Sequence, residues 1–211
     1  MNGVFHMHPP KTGGTSLISA LMEHTNFKDK YAHLYKSNLY DHINPFNCDI
    51  QDDFVTLGVR DPYDRYLSLS QWVDIQQVMS VSGVMDVKFF IKWRKQLYKL
   101  SANELKQLPH KNWLWGLRSN LCEWEDQVIA NHDVKLIRFE SYNEDVKRVY
   151  PNLELPHIHK KANPGLDFVQ LNFSTQEILN KFNEQNSADF ERYQYPMFMH
   201  LDDLYQNFLT K

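Results

Sequence analysis

The sequence predicts an α/β domain built on a mainly parallel sheet flanked by helices. Three observations predict it. Three short apolar runs, Gly3–Met7, Phe54–Val59 and Val134–Phe139, read as buried strands. Helical patterns separate these runs, and strands alternating with helices favour parallel pairing through crossovers. A glycine-rich turn marks the first strand-to-helix junction. With 211 residues the chain is long enough for one such domain with a real core and short for two, so residues 1–211 are read as a single domain.

The first strand leads into His8-Pro9-Pro10-Lys11-Thr12-Gly13-Gly14-Thr15-Ser16-Leu17. Leu17, Ile18, Leu21 and Met22 follow at helical spacing, giving a helix over Gly14–His24. Two glycines let the backbone turn tightly and approach a ligand. Loop N–H groups backed by a helix N-terminus make an anion site, to which Lys11 adds charge and Thr12, Thr15 and Ser16 add hydroxyls. The lysine precedes the glycines, whereas in the nucleotide loop G-x-x-x-x-G-K-[ST] it follows them. That pattern and G-x-G-x-x-G are both absent, which disfavours an ordinary ATPase or dinucleotide-dependent dehydrogenase.

Shorter strand candidates lie between residues 27 and 50. The Phe54–Val59 strand ends at Arg60, the carboxyl edge where open α/β sheets bind ligands. Asp61 then suits an N-cap and Pro62 the first helical position. The helix that follows is read over Pro62–Met79, with Tyr66, Leu69 and Val73 on one face. It carries Ser68 two turns in, where a hydroxyl and the Arg60 guanidinium suit one phosphate; the plainer alternative pairs Arg60 with Asp61 or Asp64. Further helices are read over Asp86–Leu100, Trp113–Cys122, Tyr142–Tyr150, Thr175–Gln185 and Ser187–Tyr193. Trp113, Trp115 and Trp124 are stacking candidates, but the favoured reading is a helix whose aromatics fill the core; Leu114, Leu117 and Leu121 form its core stripe, which turns Trp113 or Trp115 partly away and keeps a ligand role open to it. Lys92, Arg94, Lys95 and Lys99 read as a solvated helix face.

The two anion elements together resemble the sulfotransferase superfamily, in its carbohydrate (heparan 2-O-like) branch and small bacterial and phage relatives. Lys11-Thr12-Gly13-Gly14-Thr15-Ser16 is similar to the family's 5′-phosphosulfate loop. Arg60 with Ser68 is similar to its 3′-phosphate element. Val134–Glu140 resembles a later strand ending in R-[FY]-E, and Asn186–Tyr195 resembles its C-terminal x-D-F-x-x-[FY]-x-Y helix. The resemblance implies a P-loop-like three-layer fold and a soluble enzyme. That enzyme would move a sulfuryl group from 3′-phosphoadenylyl sulfate to a hydroxyl or amine of a carbohydrate or small molecule. Adenosine 3′,5′-bisphosphate would be the product and no metal would be needed.

Such transfer proceeds in line, with charge developing on the leaving oxygen. Lys11 is placed to stabilise that oxygen, helped by the loop N–H groups. The acceptor hydroxyl needs a base, and histidine suits because it titrates near neutrality. Among ten histidines, His33 lies between the two anion elements in a segment resembling x-H-x-x-x-K, where small relatives place a base. His42 and Glu23 are the alternatives. Lys160 and Lys161, in His157–Pro164, match a late loop that adds positive charge near the 3′ phosphate. His157-x-His159 lacks a clear third metal ligand, and His6-x-His8 reads as structural. A nucleotide kinase or other phosphotransferase is the competing enzyme, and a non-catalytic nucleotide-binding domain of the same fold is the alternative outside catalysis.

Composition bounds the partners. The net charge of −3 argues against a nucleic-acid binder and mildly against a long polyanionic acceptor. No apolar run reaches the ~18 residues of a membrane span. Two cysteines supply no disulfide framework and fit a reducing compartment. A cytoplasmic protein with a small-molecule or glycan acceptor is expected, with a trimmed Golgi enzyme as the alternative. Nothing in the sequence fixes the oligomeric state.

Overall fold

A computed structural model of the chain describes residues 4–7, 9, 11–23, 54–71, 120–128, 132–155 and 164–211. In chain order these form β1 (Val4–Met7), α1 (Gly14–Glu23), β2 (Phe54–Val59), α2 (Pro62–Ser70), α3 (Leu121–Val128), β3 (Val134–Arg138), α4 (Tyr142–Val149), α5 (Leu166–Asn172), α6 (Gln176–Tyr193) and α7 (Leu201–Leu209). The chain divides into two compact units. One is Met1–Arg60 with Ala102–His159, the other Asp61–Ser101 with Lys160–Lys211.

The first unit holds a three-stranded parallel sheet of order β1-β2-β3. Register pairs His6 with Thr56 and Gly58 with Ile137. The central strand β2 is buried on both faces: Val55, Leu57 and Val59 on one and Thr56 on the other are all fully covered. That explains its near-continuous apolar run, because a strand covered on both faces has no solvent side to alternate with. A core of Leu17, Ala20 and Leu21 from α1, Ile137 from β3, Tyr142 and Val146 from α4, and Leu153 closes the same unit. The β3–α4 corner is tied by Asp145, whose Oδ2 accepts from the Arg138 N–H at 2.8 Å and from the Ser141 hydroxyl at 3.2 Å. On the face bearing His6, its Nδ1 meets the Thr56 hydroxyl at 2.8 Å, and that hydroxyl meets the Tyr150 phenol at 3.1 Å.

The second unit is helical in its described residues and is organised around Tyr63. The ring lies 5.0–5.7 Å from those of Phe173, Phe182, Phe190 and Phe198. Its hydroxyl donates to Asn183 Oδ1 at 2.5 Å and accepts from the Phe198 N–H at 3.1 Å. Asp61 caps α2 by accepting from the N–H groups of Tyr63 and Asp64, with Pro62 at the first turn as read from the sequence. Asp64, fully buried, is paired with Lys211 Nζ at 3.3 Å.

Several helix readings are corrected. The two helices read over 175–185 and 187–193 are one helix, Gln176–Tyr193, with Thr175 as its N-cap. Asn186, read as a break, sits mid-helix with its amide donating to the Phe182 carbonyl at 2.7 Å. Buried partners there outweigh the weak helix propensity of asparagine. Of the helix read over 113–122, residues 113–119 fall outside the described residues; Asn120 is not helical, and a helix begins at Leu121. The described part of the 62–79 helix ends at Ser70, with Gln71 as its C-cap. Helices α5 and α7 lie outside the patterns read from the sequence. The helix over 86–100 and the strand candidates over 27–50 fall outside the described residues.

Candidate functional site

The glycine loop stands between β1 and α1, at the carboxyl edge of the sheet. Its backbone is unusual in two places: Lys11 has φ 69° and Gly13 φ 88°. Positive φ at a lysine costs of order 1 kcal/mol or more, so the surroundings must impose it. They do so from β2 and β3. Arg60, at the end of β2, donates from Nη1 to the Lys11 carbonyl at 3.1 Å. Phe139, one residue past β3, lies under Arg60, whose guanidinium carbon is 4.1 Å from the ring centroid. A cation over an aromatic face is attracted by the ring quadrupole, which fixes the guanidinium in place. The Tyr142 hydroxyl, from the first turn of α4, donates to the Gly13 carbonyl at 3.1 Å.

Packing beneath the loop is equally tight. A Cβ on Gly13 would stand 2.7 Å from Phe139 Cδ2, and one on Gly58 would stand 2.8 Å from Thr12 Oγ1. Gly58 is therefore small because the loop lies against β2. Thr12 is 1% exposed and turned inward, its hydroxyl donating to the Pro9 carbonyl at 2.7 Å and its N–H to the same oxygen at 3.3 Å. Thr12 shapes the turn from inside.

Electrostatics follow from this geometry. Lys11 is held below the usual lysine range, first by burial and then by the neighbouring Arg60 guanidinium. Two cations thus share one sheet edge, and the first turn of α1 contains no acidic residue. The first N–H groups of any helix lack partners within it, so this end offers donors and positive potential together. An anion is the complement that both features call for. Among the described residues no group of three or more His, Cys, Asp or Glu side chains could hold a metal ion.

The structure brings Lys11, Thr12, Gly13 and Arg60 together within the first unit, with Gly14, Thr15 and Ser16 opening α1. Ser68 lies half-buried on α2, in the other unit. Arg60 pairs with the Lys11 carbonyl and the Phe139 ring; it is 6% exposed. His33, His42, Lys160, Lys161, Trp113 and Trp115 lie outside the described residues, as do the side chains of Thr15, Glu23 and Trp124. The sequence reading passed over three residues of the site. Gly58 carried a usable signal, since glycine inside a strand marks close backbone approach. Phe139 entered only as part of a strand-end motif. Tyr142 carried no signal, because its partner is a carbonyl 129 residues away.

The chain matches no protein-family model, no curated protein and no solved structure. No helix among the described residues is long and apolar enough to cross a membrane.

Proposed function

We propose that the protein is a sulfotransferase that takes 3′-phosphoadenylyl sulfate as donor and a hydroxyl of a carbohydrate or small molecule as acceptor, on a P-loop-like three-layer fold. One observation carries the reading. The loop at the carboxyl edge of β1 holds its lysine before the glycines, and side chains from the end of β2 and the start of α4 tie its carbonyls back. A loop with its acceptors tethered and a helix N-terminus behind it favours an anion over a neutral ligand. The 5′ phosphosulfate is assigned to Lys11–Ser16. The 3′ phosphate is assigned to Arg60 and Ser68, with Lys160 and Lys161 adding charge; these assignments rest on the sequence resemblance.

In the proposed step the acceptor oxygen forms a bond to sulfur as the bond from sulfur to the 5′-phosphate oxygen breaks. The acceptor proton passes to His33. Negative charge grows on the departing oxygen, and Lys11 with the loop N–H groups offsets it. The products are the sulfated acceptor and adenosine 3′,5′-bisphosphate.

Adenosine 3′,5′-bisphosphate should raise the melting temperature of the protein, and transfer of labelled sulfate should follow in a screen of glycans, phenols and amines. No thermal shift at saturating ligand removes the donor assignment. Binding without transfer to any acceptor turns the reading to a nucleotide-binding domain. Lys11→Ala should abolish transfer. His33→Ala should lower turnover far more than donor affinity, and the same result from His42→Ala or Glu23→Ala instead reassigns the base.

A further inference from the structure

We infer that Tyr142, supported by Phe139, is a positioning residue that holds the glycine loop in its anion-receiving conformation; this rests on the loop being an anion site. A backbone that receives an anion must present N–H groups and turn its carbonyls away, as in the nests built from alternating left- and right-handed residues. The Lys11–Gly14 segment has that character, with φ 69° at Lys11, φ 88° at Gly13 and helical backbone from Gly14. Each of its two left-handed residues has its carbonyl held by a side chain from another element. Arg60 Nη1 holds that of Lys11, and the Tyr142 hydroxyl holds that of Gly13 at 3.1 Å.

The two anchors differ chemically. Arg60 also contributes charge, so its removal mixes field with geometry. Tyr142 contributes none. Burial raises its phenol above the usual tyrosine range, which keeps the hydroxyl a donor throughout the working pH range. Its ring is 7% exposed and packs in the core with Leu17 and Ile137, so the donor is delivered on a rigid stem. Phe139 completes the support. Its ring stands beneath the Gly13 Cα and carries the Arg60 guanidinium on its face, so one side chain braces one anchor and the target of the other.

The test is Tyr142→Phe in the full chain, which keeps the ring and deletes the donor. Calorimetric titration with adenosine 3′,5′-bisphosphate and with inorganic pyrophosphate should show affinity weakened about fivefold, the worth of one neutral hydrogen bond. The melting temperature of the ligand-free protein should move little. In 15N spectra the amide resonances of Gly13 and Gly14 should shift before ligand is added. Phe139→Leu should act in the same direction. If Tyr142→Phe binds both ligands as tightly as the unaltered chain, with Gly13 and Gly14 resonances in place, the positioning role is wrong while the anion site stands. If the unaltered chain binds neither ligand, the donor reading fails and this inference fails with it.

Discussion

Lys11 concentrates the tension in this molecule. It adopts a left-handed backbone, is half-buried, and faces a second cation, Arg60. Each of these features is unfavourable without a ligand; an anion would offset the burial and the cation pair, while the backbone strain stays, a pattern found where strain is kept at functional sites. Lys11→Asn relieves all three, since asparagine tolerates positive φ and carries no charge. It should raise the melting temperature of the ligand-free protein while shrinking the shift caused by adenosine 3′,5′-bisphosphate. The pH dependence has a definite sign. Below its depressed pKa Lys11 is charged and attracts the ligand; above it the charge is lost while Arg60 keeps its own. Affinity should therefore fall with rising pH before 10.5, the ordinary lysine value, is reached, and Lys11→Asn should show no such fall. Gly58 tests the loop from below. Gly58→Ala puts a Cβ 2.8 Å from Thr12 Oγ1. It should weaken pyrophosphate binding in a calorimetric titration more than it lowers stability, because the loop yields before the buried strand does.

At the scale of elements, capping and tertiary hydrogen bonds decide where helices run. α2 begins where its sequence says, because Asp61 and Pro62 act locally on the first turn. α6 ends at Tyr193 with Gln194 left-handed, and the N–H of Tyr195 closes back on the Phe190 carbonyl at 3.0 Å. Its middle is another matter. Asn186 falls at the break between the two helices read from the sequence, yet its amide donates to the Phe182 carbonyl, and nearby Asn183 is held by the Tyr63 hydroxyl and the Phe198 carbonyl. Tyr63→Phe removes the donor to Asn183 and the acceptor of the Phe198 N–H while keeping all four ring contacts. It should cost about 1–3 kcal/mol in urea unfolding, the range for leaving buried polar groups unmatched. A loss below a few tenths would mean that packing alone fixes this junction.

At the scale of the whole molecule, stability should depend on acid through His6. Burial lowers its pKa to about 3, whereas the unfolded chain titrates near 6.5. Below 6.5 the unfolded state takes a proton that the folded state refuses, so stability falls as pH drops toward about 3 and is level in this respect above 6.5. At pH 4.5, two units below the unfolded value, the loss should be about 2–3 kcal/mol relative to pH 7. Urea unfolding at the two pH values checks it, and His6→Gln should remove most of the difference. His6 keeps its place because Thr56 and, through it, Tyr150 give it a neutral hydrogen-bonded setting across β1, β2 and the end of α4.

The sequence by itself determined the parallel α/β character of the first unit, the three strands to within a residue at each end, the glycine loop and the start of α2. These are local properties: apolar runs make buried strands, and glycine, proline and capping residues act on their own turn. Helices α5 and α7 escaped it. The seven residues of α5 bury only Val169 and Asn172, too short a stripe to stand out, and Leu204 and Phe208 of α7 are buried among exposed acidic neighbours. Only the tertiary structure decided how the loop is held. Arg60 and Tyr142 come from 49 and 129 residues away and act through backbone carbonyls, which carry no mark of identity in a sequence, while Phe139 acts through its ring on Arg60 and Gly13. The loop is written in its own residues; the side chains beside it decide its conformation.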